Sequence, residues 1–211
     1  MSKPDHPAHA RASTPTRPLP SPHPLSPLPA GRRLRPWLLA FAAACSAGAL
    51  AQPAPLKGVQ GTDHRGQAFR AVQLAGKPVL MHFVYTGCGT TCSTQVAELA
   101  ALHEALPEAA RRKVQFLSVT VDPLADTPQA LAAYARRMGG DRTGWRFVTG
   151  PMASLSPLYE RMQVFDPRAA SPSAADHRTS LYLYAADGRL LQRFRGVPVD
   201  RERLVAELSR L

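Results

Sequence analysis

Near the middle of the chain, an apolar and β-prone run passes within a few residues into a helical pattern. The run is PVLMHFVY at residues 78–85, and residues 93–106 (STQVAELAALHEAL) repeat apolar residues at helical spacing. Nearly continuous apolar character is typical of a strand buried on both faces. The second segment is typical of an amphipathic helix. Together they predict a strand–helix unit in the interior of a larger sheet.

The remaining patterns extend this unit into an alternation of strands and helices. The predicted elements are a hairpin turning at DHRG (63–66), a buried strand at 113–121, a helix at 126–140, a short strand at 145–150, a short helix at 156–164, a hairpin turning at Asp187–Gly188 and an amphipathic helix at 199–211. Thr127 is the expected N-cap of the helix at 126–140, with Pro128 at its first position. Such alternation requires a central sheet covered by helices. We predict an α/β fold of thioredoxin-like type, a mixed sheet flanked by helices with an extra N-terminal hairpin.

The first 51 residues differ in composition from the rest. Residues 1–35 are rich in proline and hold six Lys or Arg against one acid, which is +5 of the formal net charge of +11. This segment cannot bury enough apolar surface to offset its ordering entropy, so it is predicted to be disordered. Residues 36–51 join an apolar run to small residues, as in a signal peptide or a short membrane anchor. Residues 52–211 are predicted to form one domain.

Three fates of the leader stay open: cleavage after Ala51, lipidation of Cys45, or retention as an anchor. All three predict a domain in the bacterial periplasm, either soluble or anchored to the outer face of the inner membrane. The positive charges after residue 35 are scattered among acids, with no basic stripe interleaved with aromatics. Nucleic acid is therefore not an expected partner.

Two cysteines, Cys88 and Cys92, remain in the predicted domain. We expect Cys88 in the loop after the buried strand and Cys92 in the first turn of the helix, where the helix dipole favours thiolate. Their spacing of four directs both sulfurs to one side. A C-x-x-x-C pair can close a disulfide, yet it also leaves room for an ion, and two thiolates suit Cu(I) if further donors are present. A structural disulfide closing so short a loop would gain little entropy.

A third donor must come from elsewhere in the fold. His177 ends a loop rich in Pro, Ala and Ser, just before the strand TSLYLYA. A thioredoxin-like sheet brings the start of that strand beside the first strand–helix junction, so His177 is the expected partner of the two cysteines. Such a set could hold Cu(I) or Cu(II) with a further ligand. Of the other histidines, His82 is expected in the core, His64 in a solvated turn and His103 at the boundary of a helix face.

Three blocks carry a more specific resemblance. They are VLMHFVYTGCGTTCSTQVAEL (79–99), FLSVTVDPLADTP (116–128) and DHRTSLYLYAADGRL (176–190). From about residue 58 to residue 211 the chain resembles the Sco/SenC family, the copper-binding thioredoxin-like proteins of cytochrome oxidase assembly. Many members have a proline after each cysteine, whereas Gly89 and Ser93 stand here, which indicates a divergent branch.

The resemblance implies that Cys88, Cys92 and His177 bind copper and that Asp122 lies near the site as a supporting carboxylate. It implies a copper metallochaperone, with an apo cytochrome oxidase copper-site subunit or another copper chaperone as partner. The alternative is a thiol–disulfide oxidoreductase, in which Cys88 and Cys92 are a redox-active pair that keeps the cysteines of the oxidase copper site reduced. Peroxide scavenging would need an activating Arg and Thr set that we do not identify.

Overall fold

The computed structural model describes residues 53–168 and 173–211. The predicted disordered tail (1–35) and the predicted leader (36–51), including Cys45, lie outside the described residues. Within the described ranges, no helix combines the length and the apolar character needed to cross a bilayer.

Seven strands form one mixed sheet in the order β2-β1-β5-β4-β3-β6-β7. The strands are β1 (Gln60–Asp63), β2 (Ala68–Arg70), β3 (Val79–Val84), β4 (Gln115–Thr120), β5 (Trp145–Thr149), β6 (Leu181–Tyr184) and β7 (Leu190–Phe194). The helices are α1 (Thr90–Ala105), α2 (Glu108–Lys113), α3 (Pro128–Arg137), α4 (Met152–Met162) and α5 (Arg201–Ser209).

The centre of the sheet is parallel and its two flanks are antiparallel. Strands β3, β4 and β5 run parallel, β6 pairs antiparallel with β3, and the hairpin β1–β2 joins the sheet antiparallel to β5. This confirms the predicted mixed sheet and its additional N-terminal hairpin. Because β6 runs opposite to β3, the residues just before β6 lie at the end of β3 from which the cysteine loop departs.

Apolar side chains pack on both faces of the sheet. In β3, Leu80 and Val84 join a core cluster with residues of α1, α3 and α5, while Met81 and Phe83 join a second cluster with residues of α4. Every residue of β3 is buried. The alternation of strand side chains between two buried faces explains why the sequence of β3 reads as a continuous apolar run.

Two helices depart from the predicted pattern around prolines. Helix α2 was not predicted, because Pro107 indicates the end of α1; the same proline is also the N-cap of α2. Helix α4 begins at Met152, not near residue 156, and Pro157 lies inside it. An internal proline costs one backbone hydrogen bond. Packing of Leu155 and Leu158 into the core accompanies this loss.

Two histidines are buried where the sequence indicated exposure. His64 is 5% exposed; its Nδ1 accepts from the backbone N–H of Phe147 and its Nε2 donates to Asp141. The predicted solvated turn is wrong, because the N-terminal hairpin packs its turn against β5. His103 is also buried and packs on the ring of Phe116, so its predicted place at a face boundary is wrong.

Candidate metal centre

The first cysteine lies between β3 and α1, and the second lies one helical turn later. Helix α1 begins at Thr90, so Cys92 is its third residue, as predicted. The connection is tight at Gly87, where an added Cβ would lie 2.5 Å from the ring of Tyr85. Glycine is therefore required for this approach of the Tyr85 side chain to the loop backbone.

The two sulfurs differ in environment. The backbone N–H of Cys92 donates to Cys88 Sγ at 3.4 Å, so this sulfur satisfies one of the free N–H groups at the start of α1. Cys88 is half-buried, Cys92 is buried, and both are free thiols. Burial raises the pKa of Cys92 to about 12, and the hydrogen bond and charge of Cys88 act in the same direction. Desolvation thus outweighs the helix dipole at Cys92, which is a thiol at neutral pH in the metal-free protein.

His177 reaches the buried cysteine. It follows a 3₁₀ turn at Ala174–Asp176, and its Nε2 lies 3.7 Å from Cys92 Sγ. Its Nδ1–H donates to the carbonyl of Ala174 at 2.7 Å, which leaves the Nε2 lone pair directed at the sulfur. Burial lowers the pKa of His177, with the Ala174 hydrogen bond opposing this shift, so the imidazole is neutral at pH 7. A neutral imidazole with a free Nε2 is the form that binds metals.

The separation of these two donors fits a shared ion. Ligands bound at about 2.0–2.3 Å to one ion lie roughly 3.5 Å apart, close to the 3.7 Å between Cys92 Sγ and His177 Nε2. Nevertheless, no group of three or more His, Cys, Asp or Glu side chains within 53–168 and 173–211 is arranged as a metal site. The structure therefore brings Cys92 and His177 together and leaves Cys88 in the adjoining loop. Binding of one ion by all three requires Cys88 to turn toward the other two.

A buried carboxylate supports the cysteine loop. Asp126 is fully buried and accepts hydrogen bonds from the backbone N–H and hydroxyl of Thr86 and from the hydroxyl of Thr120. Burial raises the pKa of Asp126, and the hydrogen bonds from Thr120 and Thr86 oppose that shift. These contacts tie the loop two residues before Cys88 to the end of β4.

The predicted supporting carboxylate, Asp122, is placed differently. It is half-buried and accepts from the backbone N–H of Ala125 at 3.3 Å. Its role near the copper site stays a prediction. The sequence analysis did not identify Asp126 as a supporting carboxylate. The signal was present, because Asp126 is the second aspartate of the D-P-x-x-D-T-P block in which Asp122 is the first.

Comparison with known proteins extends these observations beyond the site. Residues 56–211 match the SCO1/SenC family model. The SCO1 protein homolog of Bacillus subtilis (strain 168) is 31% identical over 128 residues, which is 59% of this chain and 65% of that protein. Matches to eight curated relatives cover between 48% and 65% of those relatives' own length, less than two thirds in each of the eight.

Solved structures agree with the fold. A SCO1/SenC family lipoprotein from Bacillus anthracis str. Ames superposes with a TM-score of 0.64 at 26% identity, covering 78% of this chain and 98% of that one. Bradyrhizobium japonicum ScoI, solved with copper bound, gives a TM-score of 0.60 at 27% identity, covering 72% and 96%. These likenesses confirm the predicted thioredoxin-like α/β fold. Since the family match takes in both cysteines, His177 and every strand of the sheet, the chain belongs to the SCO1/SenC family.

Proposed function

We propose that this protein is an extracytoplasmic copper metallochaperone. The thiolates of Cys88 and Cys92 and the Nε2 of His177 hold the ion, which is then delivered to the copper site of a respiratory cytochrome oxidase. The recipient is an apo oxidase subunit or another copper chaperone. Residues 36–51 direct export, with membrane association through that segment or through lipidated Cys45.

One observation carries this proposal: the 3.7 Å approach of His177 Nε2 to Cys92 Sγ, with Nδ1–H engaged by the Ala174 carbonyl. Here one nitrogen fixes the tautomer, and the other faces a soft sulfur donor. Thiolate and imidazole together suit copper in either of its common oxidation states.

The relatives support the choice of metal. Bradyrhizobium japonicum ScoI, Arabidopsis thaliana ScoI and yeast Sco1 have each been solved with copper bound. BsSco is a member of the Sco family of cytochrome c oxidase assembly proteins. For the present chain, we propose an oxidase subunit as the recipient because of this relationship to the Sco family.

Capture and release of copper are coupled to loss and gain of the proton on the Cys92 thiol. Capture of the ion displaces the proton of the buried Cys92 thiol, because thiolates and not thiols bind metals. The half-buried Cys88 is the donor that an incoming ligand of a recipient reaches first. Copper then passes by stepwise exchange of ligands, and no bond-making catalysis is involved.

The test is copper stoichiometry and affinity of the reduced protein, compared with His177→Ala. We expect one copper per wild-type chain and binding weaker by at least about tenfold in the variant, the change that 1.4 kcal/mol produces. His103→Leu is the matched control: this buried histidine lies away from the site, and neither ring nitrogen has a hydrogen-bond partner among the described residues. Equal copper binding by His177→Ala and wild type would contradict the three-donor site.

The geometry of the two cysteines keeps thiol–disulfide exchange as a second candidate. Both are free thiols, and the hydrogen bond from the Cys92 backbone N–H to Cys88 Sγ at 3.4 Å keeps the first cysteine against the helical turn that carries the second. The more exposed Cys88 would attack a disulfide of the oxidase copper site, and Cys92 would resolve the mixed disulfide. Unchanged dithiol turnover in His177→Ala, together with unchanged copper binding, would favour this reading.

A further inference from the structure

A chain of buried polar side chains runs from the middle of the sheet to the segment that carries His177. Trp145 Nε1 donates to Ser118 Oγ at 2.9 Å, and Ser118 Oγ lies 2.6 Å from His82 Nε2. His82 Nδ1 lies 3.1 Å from Gln95 Oε1, and Gln95 Nε2 donates to the backbone carbonyl of Thr179. The four side chains are at most 1% exposed. We call this set the buried polar chain.

The two ends of the buried polar chain fix the direction of every hydrogen bond in it. The Trp145 indole can only donate, so Ser118 accepts from it and keeps its own hydroxyl hydrogen for another acceptor. The Thr179 carbonyl can only accept, so the amide of Gln95 turns its nitrogen outward and its oxygen to His82. The Gln95 oxygen and the Phe83 carbonyl, each 3.1 Å from His82 Nδ1, can only accept, so His82 carries its proton on Nδ1 and its Nε2 accepts from the Ser118 hydroxyl. All hydrogen-bonding groups along the chain are satisfied in one arrangement only, and such networks select one rigid structure.

Gln95 connects the two halves of the candidate metal centre. It lies three residues after Cys92 in α1, while Thr179 lies two residues after His177. Residues 177–180 precede β6 and are not part of the sheet ladder. On one side the backbone N–H of Arg178 donates to the Val164 carbonyl; on the other, the Gln95 amide holds the Thr179 carbonyl against α1.

The backbone of Gly196 packs closely against this contact. A Cβ there would come within 1.3 Å of the Thr179 carbonyl oxygen and 2.1 Å of Gln95 Nε2. Glycine thus permits the backbone after β7 to cover the hydrogen bond. Loss of the Gln95 amide would remove the hydrogen bond that holds the half-buried Thr179 carbonyl against α1, whereas His82 Nδ1–H would keep the Phe83 carbonyl as its acceptor. Residues 177–180 would then be free to shift toward water, where the Thr179 carbonyl can be hydrated.

We propose that Gln95 is a positioning residue for His177, holding its imidazole within reach of Cys92 through the carbonyl of Thr179. This inference rests on the proposed function, because it assumes that the His177 imidazole is held in place to bind copper together with the two cysteines. His82 orients the Gln95 amide from behind, and its Nδ1–H is also held by the Phe83 carbonyl at 3.1 Å, independently of Ser118. None of the four side chains of the buried polar chain binds the ion.

The experiment compares reduced full-length wild type with Gln95→Met, which keeps the length and removes both hydrogen bonds of the amide. Gln95→Glu is the second variant; it keeps the shape and the acceptor for His82 but replaces the donor to Thr179. Ser118→Ala is the matched control, because it breaks the far end of the buried polar chain and leaves the Gln95–Thr179 contact intact.

The first readout needs no metal: ring ¹⁵N chemical shifts of His177 and amide hydrogen exchange across residues 174–180. We expect both Gln95 variants to lose the single-tautomer shifts of His177 and to exchange about tenfold faster there, the change that one net hydrogen bond gives. Ser118→Ala should keep the wild-type shifts, although it lowers stability. Wild-type shifts and exchange in both Gln95 variants would overturn the proposal, and so would an equal change in Ser118→Ala.

The second readout is copper affinity, with the nitrogen hyperfine coupling of the Cu(II) form. Both Gln95 variants should bind copper about tenfold more weakly and with altered nitrogen coupling, whereas Ser118→Ala should match wild type. Affinity and coupling unchanged from wild type would overturn a positioning role. If wild type itself binds no copper, the proposed function fails, but the metal-free comparison still decides whether Gln95 positions His177.

Discussion

Burial keeps three titratable side chains neutral: two of the predicted ligands, Cys92 and His177, and His82 behind them. Desolvation raises the pKa of Cys92 to about 12, lowers that of His82 to about 4, and lowers that of His177. All three are consequently neutral at pH 7 in the metal-free protein. A neutral donor set avoids burying an unpaired charge, and a bound copper ion would supply the charge that favours the thiolates.

His82 gives a pH dependence that can be measured. An unfolded histidine titrates near 6.5, whereas burial, opposed by hydrogen bonds to Gln95 and Phe83 and assisted by nearby His177, lowers the pKa of His82 to about 4. Between these values the unfolded chain binds a proton that the native chain does not. The free energy of unfolding is therefore largest above about pH 6.5 and falls as the pH decreases toward 4, by on the order of 3 kcal/mol for this residue.

Urea unfolding at pH 7.0 and at pH 4.5 measures this difference. We expect wild type to lose more stability on acidification than His82→Asn, which retains a donor to Gln95 but cannot titrate. The variant still loses some, because burial also lowers the pKa of His64 and of His103. An identical loss in the two proteins would contradict the assignment to His82.

At the scale of elements, the N-terminal hairpin joins the sheet only because two glycines meet. A Cβ at Gly61 would lie 2.0 Å from the Thr149 carbonyl oxygen, and one at Gly150 would lie 2.6 Å from the Gln60 carbonyl oxygen. The pairing of β1 with β5 therefore depends on close approach of two backbones. Burial of His64 depends on this pairing as well, because its Nδ1 accepts from the backbone of Phe147 in β5.

Gly61→Ala tests this attachment. We expect it to lower the free energy of unfolding by roughly 1–3 kcal/mol, the usual cost of overpacking a tight contact, and to speed amide exchange in β1 and β2 more than in β3. The matched control is Gly66→Asn in the hairpin turn, where φ is +76° and nothing lies within 4 Å of an added Cβ. Asparagine tolerates that conformation. Comparable losses in the two variants would mean that the contact with β5 is unimportant.

At the scale of the molecule, one sheet lies between two apolar clusters, and its strands contribute side chains to both. Adjacent residues of β3 contribute to opposite clusters, as Leu80 and Met81 show, and β6 does the same with Leu183 and Tyr184. Loss of packing in one cluster would expose a face of the same strands that support the other cluster. The described residues of the predicted domain are therefore expected to unfold as one unit.

A chain of residues 52–211 tests this expectation, since Trp145 is then its single tryptophan and lies in one cluster. We expect its urea transitions followed by tryptophan fluorescence and by far-ultraviolet circular dichroism to coincide. The full-length chain, measured by circular dichroism, should have the same midpoint. Transitions separated in midpoint would show that the two clusters unfold independently, and a shifted midpoint would contradict the boundary predicted near residue 52.

Local rules account for much of what the sequence predicted. The apolar run of β3 follows from burial on both faces, the N-cap of α3 from the side chain of Thr127, which accepts from Ala130, and the last hairpin from the turn at Gly188. The approach of His177 to the cysteines follows from topology, because antiparallel β6 must begin where β3 ends. Each of these inferences needs only neighbouring residues or one rule for the whole fold.

The tertiary structure alone decided which distant polar groups meet. The sequence pattern already places Gln95 on the apolar face of α1. Its partners, however, come from remote segments: His82 from β3 and Thr179 from the loop before β6. Likewise, the choice of Asp126 over Asp122 beneath the cysteine loop depends on where Thr86 lies. Sequence by itself determined the fold, the cysteine pair and the candidate third donor, because periodicity and topology are encoded locally. Hydrogen bonds between remote segments depend on distances of a few ångströms, which only the packed fold sets.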